Sequence, residues 1–86
     1  MRTGRIHAAQ LSRSPRLQRV LAFLRERAGE GATTMEIIRQ ANVCAVNTII
    51  QELRENGLLI DGEWVPAGDA MAYRYRLVEV AQRNLF

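Results

Sequence analysis

Apolar residues fall into three blocks at helical spacing and then two blocks at extended spacing. Leu17, Val20, Leu21 and Leu24 put an apolar stripe on one side of a helix, with Phe23 at its edge. Ser14-Pro15 marks its start, because Ser accepts a free backbone N–H at the N-cap and Pro suits the first helical position. Gly29-Glu30-Gly31 ends it after Arg27 or Ala28. Met35, Ile37, Ile38 and Ala41 predict a second, short helix with a buried side. It opens on Thr33 or Thr34, and Glu36 stands three residues after Thr33, the spacing of a capping box. Asn42 predicts the break, since Asn tolerates the left-handed conformation that ends a helix. Val43, Val46, Ile50 and Leu53, spaced 3, 4 and 3 with Ile49 on the flank, predict a third helix from about Cys44 to Asn56. Gly57 stops it. Its opposite face is polar: Cys44, Asn47, Thr48, Gln51 and Glu55.

Beyond Gly57 the period changes. Leu58, Leu59, Ile60, Trp64 and Val65 favour a strand, and Pro66-Ala67-Gly68-Asp69 reads as a turn cluster. Tyr73-Arg74-Tyr75-Arg76-Leu77 alternates apolar and charged residues, as a half-buried strand does. Pairing Leu58–Val65 with Met71–Val78 leaves a five-residue connection, Pro66 to Ala70. Met71, Tyr73, Tyr75 and Leu77 then share a face against the helices, and Arg74 and Arg76 point outward. The fold expectation is mainly α with a β-hairpin (α+β), a three-helix winged helix-turn-helix. Its expected core is Leu17, Val20, Leu21, Leu24, Ile38, Val43, Val46, Ile50 and Leu53. Burying each is worth ~1.5–3 kcal/mol, enough for a marginal domain that a homodimer would support.

The run ELRENGLLI resembles the end of the recognition helix and the first wing strand of winged helix-turn-helix proteins. More narrowly, NVCAVNTIIQELRENGLLIDGEWVP followed by AYRYRL resembles small helix-turn-helix proteins encoded by phages and prophages. The likeness covers residues 15–78 and implies a regulator that reads the major groove of double-stranded DNA with helix 44–56, with phosphates expected to meet the basic arm, 1–14, and the wing. Two positions depart from the pattern: Cys44 stands where many such proteins have Ser or Thr, and Ile49 where they carry a polar or basic residue.

With 86 residues the chain has room for one small domain, 15–78, between a basic arm, 1–14, and a short tail, 79–86. A single cysteine excludes an internal disulfide. No apolar run approaches a membrane span and no signal peptide is legible, so a cytoplasmic protein without a membrane role is expected. The net charge is +3, unevenly spread. Residues 1–27 carry seven arginines against Glu26, while the remainder is acidic by −3. All twelve basic residues are Arg, the residue suited to bidentate contact with phosphate or guanine, although the coding bias of a GC-rich genome produces the same composition.

On the third helix Asn47, Thr48 and Gln51 are the candidate base contacts: Asn and Gln pair with adenine, and Thr meets a thymine methyl. Arg16, Arg19, Arg54, Arg74 and Arg76 are the candidate phosphate contacts. All of these also fit an ordinary solvated surface. Against DNA stand Glu52 and Glu55, which outnumber Arg54 on that helix. Ile49 and the terminal Leu85-Phe86 hint instead at a seam with a second copy or a protein partner. The alternative expectation is thus a winged-helix interaction module, an adaptor or a small phage inhibitor of a host complex. His7 alone makes no metal site, Cys44 has no neighbouring base, and there is no phosphate loop; no enzyme, metal or cofactor is implied.

Overall fold

The computed structural model describes residues 10–78. Three helices and a small antiparallel sheet make an α+β domain, an arrangement compatible with a winged helix. A 3-10 turn at Leu11–Arg13 leads into α1, Pro15–Glu26. Then follow β1, Ala32–Thr33; α2, Thr34–Ala41; α3, Val46–Glu55; β2, Ile60–Ala67; and β3, Ala70–Leu77. Most of the expected arm lies outside the described residues. Its last part is held down: Leu11 N–H donates to Asn56 Oδ1, and the Gln18 amide donates to Leu11 O.

Local signals explain the helix ends. Ser14 Oγ accepts from Leu17 N–H at the head of α1. Thr33 and Glu36 form the reciprocal capping box: Thr33 Oγ1 accepts from Glu36 N–H while Glu36 Oε1 accepts from Thr33 N–H. Asn42 takes φ 55 and stops α2. The third helix begins later than expected, at Val46, so Cys44 and Ala45 lie in the turn before it, and Cys44 is exposed.

The core gathers α1, α2 and α3 over the base of the sheet. Leu17, Val20, Leu24, Ile37, Ile49, Ile50 and Leu53 are its largest fully buried side chains. Two expectations change. On α2 it is Ile37, not Ile38, that is completely enclosed, and Met35 is 54% exposed. Ile49 is 1% exposed, so it belongs to the core and forms no seam for a partner. A stripe broad enough to include positions 46, 49, 50 and 53 lets α3 pack on both α1 and α2.

The sheet departs most from expectation. It has three strands in the order β1-β3-β2, because Ala32 and Thr33 pair with Tyr75 and Arg74. A two-residue strand carries no periodicity for a sequence pattern to reveal. The strands keep the expected eight residues each but sit closer to a shorter turn: Ala67 pairs with Ala70, and only Gly68-Asp69 connect the strands. Gly68 has φ +66 and Asp69 does not share it, the sign pattern of a type II′ turn. Pro66 pairs with Met71 inside a strand, which is tolerated because β2 is an edge strand. The pairing is one residue out of the expected register. Trp64 therefore faces Tyr73, where the expected pairing puts Tyr73 opposite Glu63.

Gly31 makes the approach of the α1–β1 loop to β3 possible. It has φ +80, and a Cβ there would lie 2.7 Å from the Tyr75 carbonyl oxygen. Gly29 has φ +94 but open space around it. Both Ala variants are expected to carry the left-handed strain of about 1–2 kcal/mol. Gly31→Ala is expected to lose clearly more, because the backbone must also move; urea unfolding midpoints of the two variants check this.

Candidate nucleic-acid interface

The outward side of α3 is bounded by two grooves that meet at its first turn. One, of about 710 Å³, lies between α3 and the hairpin and includes Cys44, Ala45, Asn47, Thr48, Arg54, Trp64, Tyr73 and Tyr75 in its walls. The other, of about 350 Å³, lies toward α1 and includes Arg16, Arg19, Cys44, Ala45, Thr48 and Ile49. Ala45 occupies the N-cap and no side chain caps α3, which leaves first-turn N–H groups for solvent or a ligand.

The expected base-contact residues are brought together on this face: Asn47, Thr48 and Gln51 are all exposed. Two of them are oriented by the fold. Tyr75 Oη donates to Asn47 Oδ1 at 2.8 Å, and Arg54 Nη1 donates to Gln51 Oε1 at 2.8 Å. Each amide is thereby fixed with its NH2 donors and one carbonyl lone pair still available.

The five expected phosphate residues do not converge. Arg16 and Arg19 reach the groove beside the first turn of α3. Arg16 Nη2 pairs with Glu52 Oε1 at 2.9 Å, and Arg19 Nε donates to Ala41 O at 2.8 Å. The first of these pairs changes the charge argument. Glu52 is turned toward α1 and its side chain is 14% exposed, so the carboxylate that weighed against DNA is neutralised and off the outward face. Arg54 is folded back: Nε and Nη2 both donate to Ile60 O, at 3.1 and 2.8 Å, joining the end of α3 to β2. Arg54 forms part of the wall of the larger groove.

Arg74 and Arg76 lie on the other face of the hairpin from Trp64, Tyr73 and Tyr75, by the alternation of a strand. They pair with Glu63 at 2.6 Å and Asp61 at 3.3 Å. The expectation that they point away from the apolar face holds, but each has a cross-strand acidic partner, and that face looks away from the groove beside α3. The alternation of the strand was legible; the acids opposite each arginine depended on the register.

Sequence reasoning missed the aromatic row. Trp64 and Tyr73 meet edge-on at 5.1 Å and 77°, and Tyr73 and Tyr75 at 5.1 Å and 71°. Tyr73 lies across Gly62, where a Cβ would come within 2.5 Å of its ring. The available signal was Gly62 two residues before Trp64, a gap in one strand that an aromatic residue on the next covers. Trp64 is 65% exposed at the outer end of the row.

No family model, curated protein or solved structure matches the chain significantly. Among the described residues, no helix is long and apolar enough to cross a membrane.

Tyr75 joins the groove to stability. Burial pushes its phenol above the ordinary value of 10.0, with Tyr73 adding to the shift and Arg54 opposing it. A raised folded-state value means that the unfolded chain ionises first as pH rises. This contribution is complete below pH 10.0 and is lost as the pH climbs through the folded-state value. Tyr75→Phe is expected to cost about 0.5–1.5 kcal/mol at neutral pH through the lost Asn47 bond. It should also flatten the fall in stability above pH 10, measured by urea unfolding across pH 7–11.

Proposed function

We propose that this chain is a DNA-binding protein of the kind encoded by phages and prophages, a transcriptional regulator that lays α3 in the major groove of double-stranded DNA. The observation that carries this reading is the outward face of α3. Asn47, Thr48 and Gln51 are exposed together, two of them held by hydrogen bonds from Tyr75 and Arg54. Side chains fixed before binding lose less entropy when they meet a base edge. Arg19, beside the uncapped first turn of α3, supplies a phosphate contact on the α1 side, and Arg16, already paired with Glu52, takes a smaller part there. Arg54 supplies one inside the groove toward the hairpin. The pairing of Glu52 with Arg16 supports the reading by removing a repulsive charge from the approach to phosphate. Arg74 and Arg76 take a smaller part than their charge suggests.

The second reading, a protein-interaction module, draws on the apolar outer end of the hairpin, where Trp64 and Met71 are exposed. It no longer draws on Ile49, and Leu85-Phe86 lie outside the described residues.

Salt separates the two. On a labelled random duplex followed by fluorescence anisotropy, affinity should fall about tenfold or more between 50 and 200 mM salt. A protein that binds no duplex at 50 mM salt is not the regulator proposed. On a selected operator, Gln51→Ala should weaken binding by ~1–3 kcal/mol and relax preference at one base pair. Unchanged operator affinity would remove Gln51 from the base contacts.

A further inference from the structure

A row of aromatic rings beside a DNA-reading helix does not serve duplex recognition, because paired and stacked bases present only their edges in a groove. Rings bind the faces of bases, and faces are offered only by bases that are unpaired. The groove between α3 and the hairpin has Trp64, Tyr73 and Tyr75 along one side and Asn47, Thr48 and Arg54 along its walls. Its volume of about 710 Å³ falls in the range of ligand-binding clefts.

We infer that this groove holds a single unpaired nucleobase, stacked on Trp64 and hydrogen-bonded by the Asn47 amide. The inference rests on the DNA-binding reading above and names the part of the nucleic acid that this groove takes.

Five observations support it. Trp64 is the outermost ring and mostly exposed, so its surface is open to a base. The row behind it is braced: Tyr73 lies over Gly62, and Tyr75 is tied to Asn47. That same bond takes up the Asn47 carbonyl and leaves its NH2 donors for the acceptors that a base presents on its Watson–Crick edge. The charge of the groove suits a polyanion, since the residues forming its walls include Arg54 and no carboxylate. The acids of the hairpin, Asp61 and Glu63, stand on the opposite face, paired with Arg76 and Arg74. The neighbouring groove shares Cys44, Ala45 and Thr48 and carries Arg16 and Arg19, where phosphates on either side of the held base would run.

Trp64 is the single tryptophan of the chain, so its emission reports this site without a label. The test titrates the full-length protein with four nucleic acids: a paired duplex, the same duplex with one bulged base, a single-stranded DNA and a single-stranded RNA of that length. Anisotropy gives affinity and Trp64 emission gives stacking. The bulged duplex is expected to bind roughly tenfold or more tightly than the paired one and to quench Trp64. Trp64→Leu, a change at an exposed position, should abolish that preference and leave paired-duplex binding unchanged. Trp64→Phe should restore part of it. The two single strands, if they quench, identify whether DNA or RNA is the better source of the base. Equal binding of paired and bulged duplexes with unaltered Trp64 emission would overturn the inference and leave the DNA-binding reading intact. Absence of binding to all four at 50 mM salt would overturn both.

Discussion

The register of the hairpin decides more of this structure than any other constraint. Gly68 takes a positive φ and lets two residues connect β2 to β3, and from that turn every cross-strand pair follows. Ile60 and Leu77 meet at the buried end, Gly62 faces Tyr75 beside the helices, and Trp64 faces Tyr73 beyond them. A slip by one residue would put Trp64 opposite a different neighbour and remove the gap at Gly62 that Tyr73 covers. The aromatic row, the two acid–arginine pairs of the outer face and the wall of the larger groove all depend on this pairing.

From that frame the helices are tied to the sheet by a few polar links over an apolar base. Arg54 forks the Ile60 carbonyl at the start of β2, and Tyr75 reaches across to Asn47 at the start of α3. Both links connect α3 to the hairpin, one at each end of the helix. They also fix the side chains that the proposed function would use. The residues that make the fold rigid and those that would meet a nucleic acid are thus partly the same, and this couples the geometry of the face to the integrity of the sheet.

The charges show how far pairing changes a sequence-level reading. Counted along the chain, α3 is slightly acidic and the last strand carries two arginines and no acid. Once folded, Glu52 is spoken for by Arg16, and Arg74 and Arg76 by Glu63 and Asp61. The balance of the outward face therefore comes from which partners lie within reach, and the fields of paired groups fall off quickly in water.

The first two helices and their caps were determined by the sequence alone, because they depend on neighbours three or four residues away: Ser14-Pro15, the Thr33–Glu36 box and the left-handed Asn42 all act locally. The exposed polar row Asn47, Thr48 and Gln51 was legible for the same reason, as the complement of an apolar stripe. Tertiary structure alone decided what depends on residues distant in the chain. These are the short strand β1 against Tyr75, the burial of Ile49, the register that places Trp64 beside Tyr73, and the acid opposite each hairpin arginine. Pro66 drew the expected turn too early, since a proline stops a central strand but is harmless on an edge, and which strand lies at the edge is fixed only when the sheet assembles.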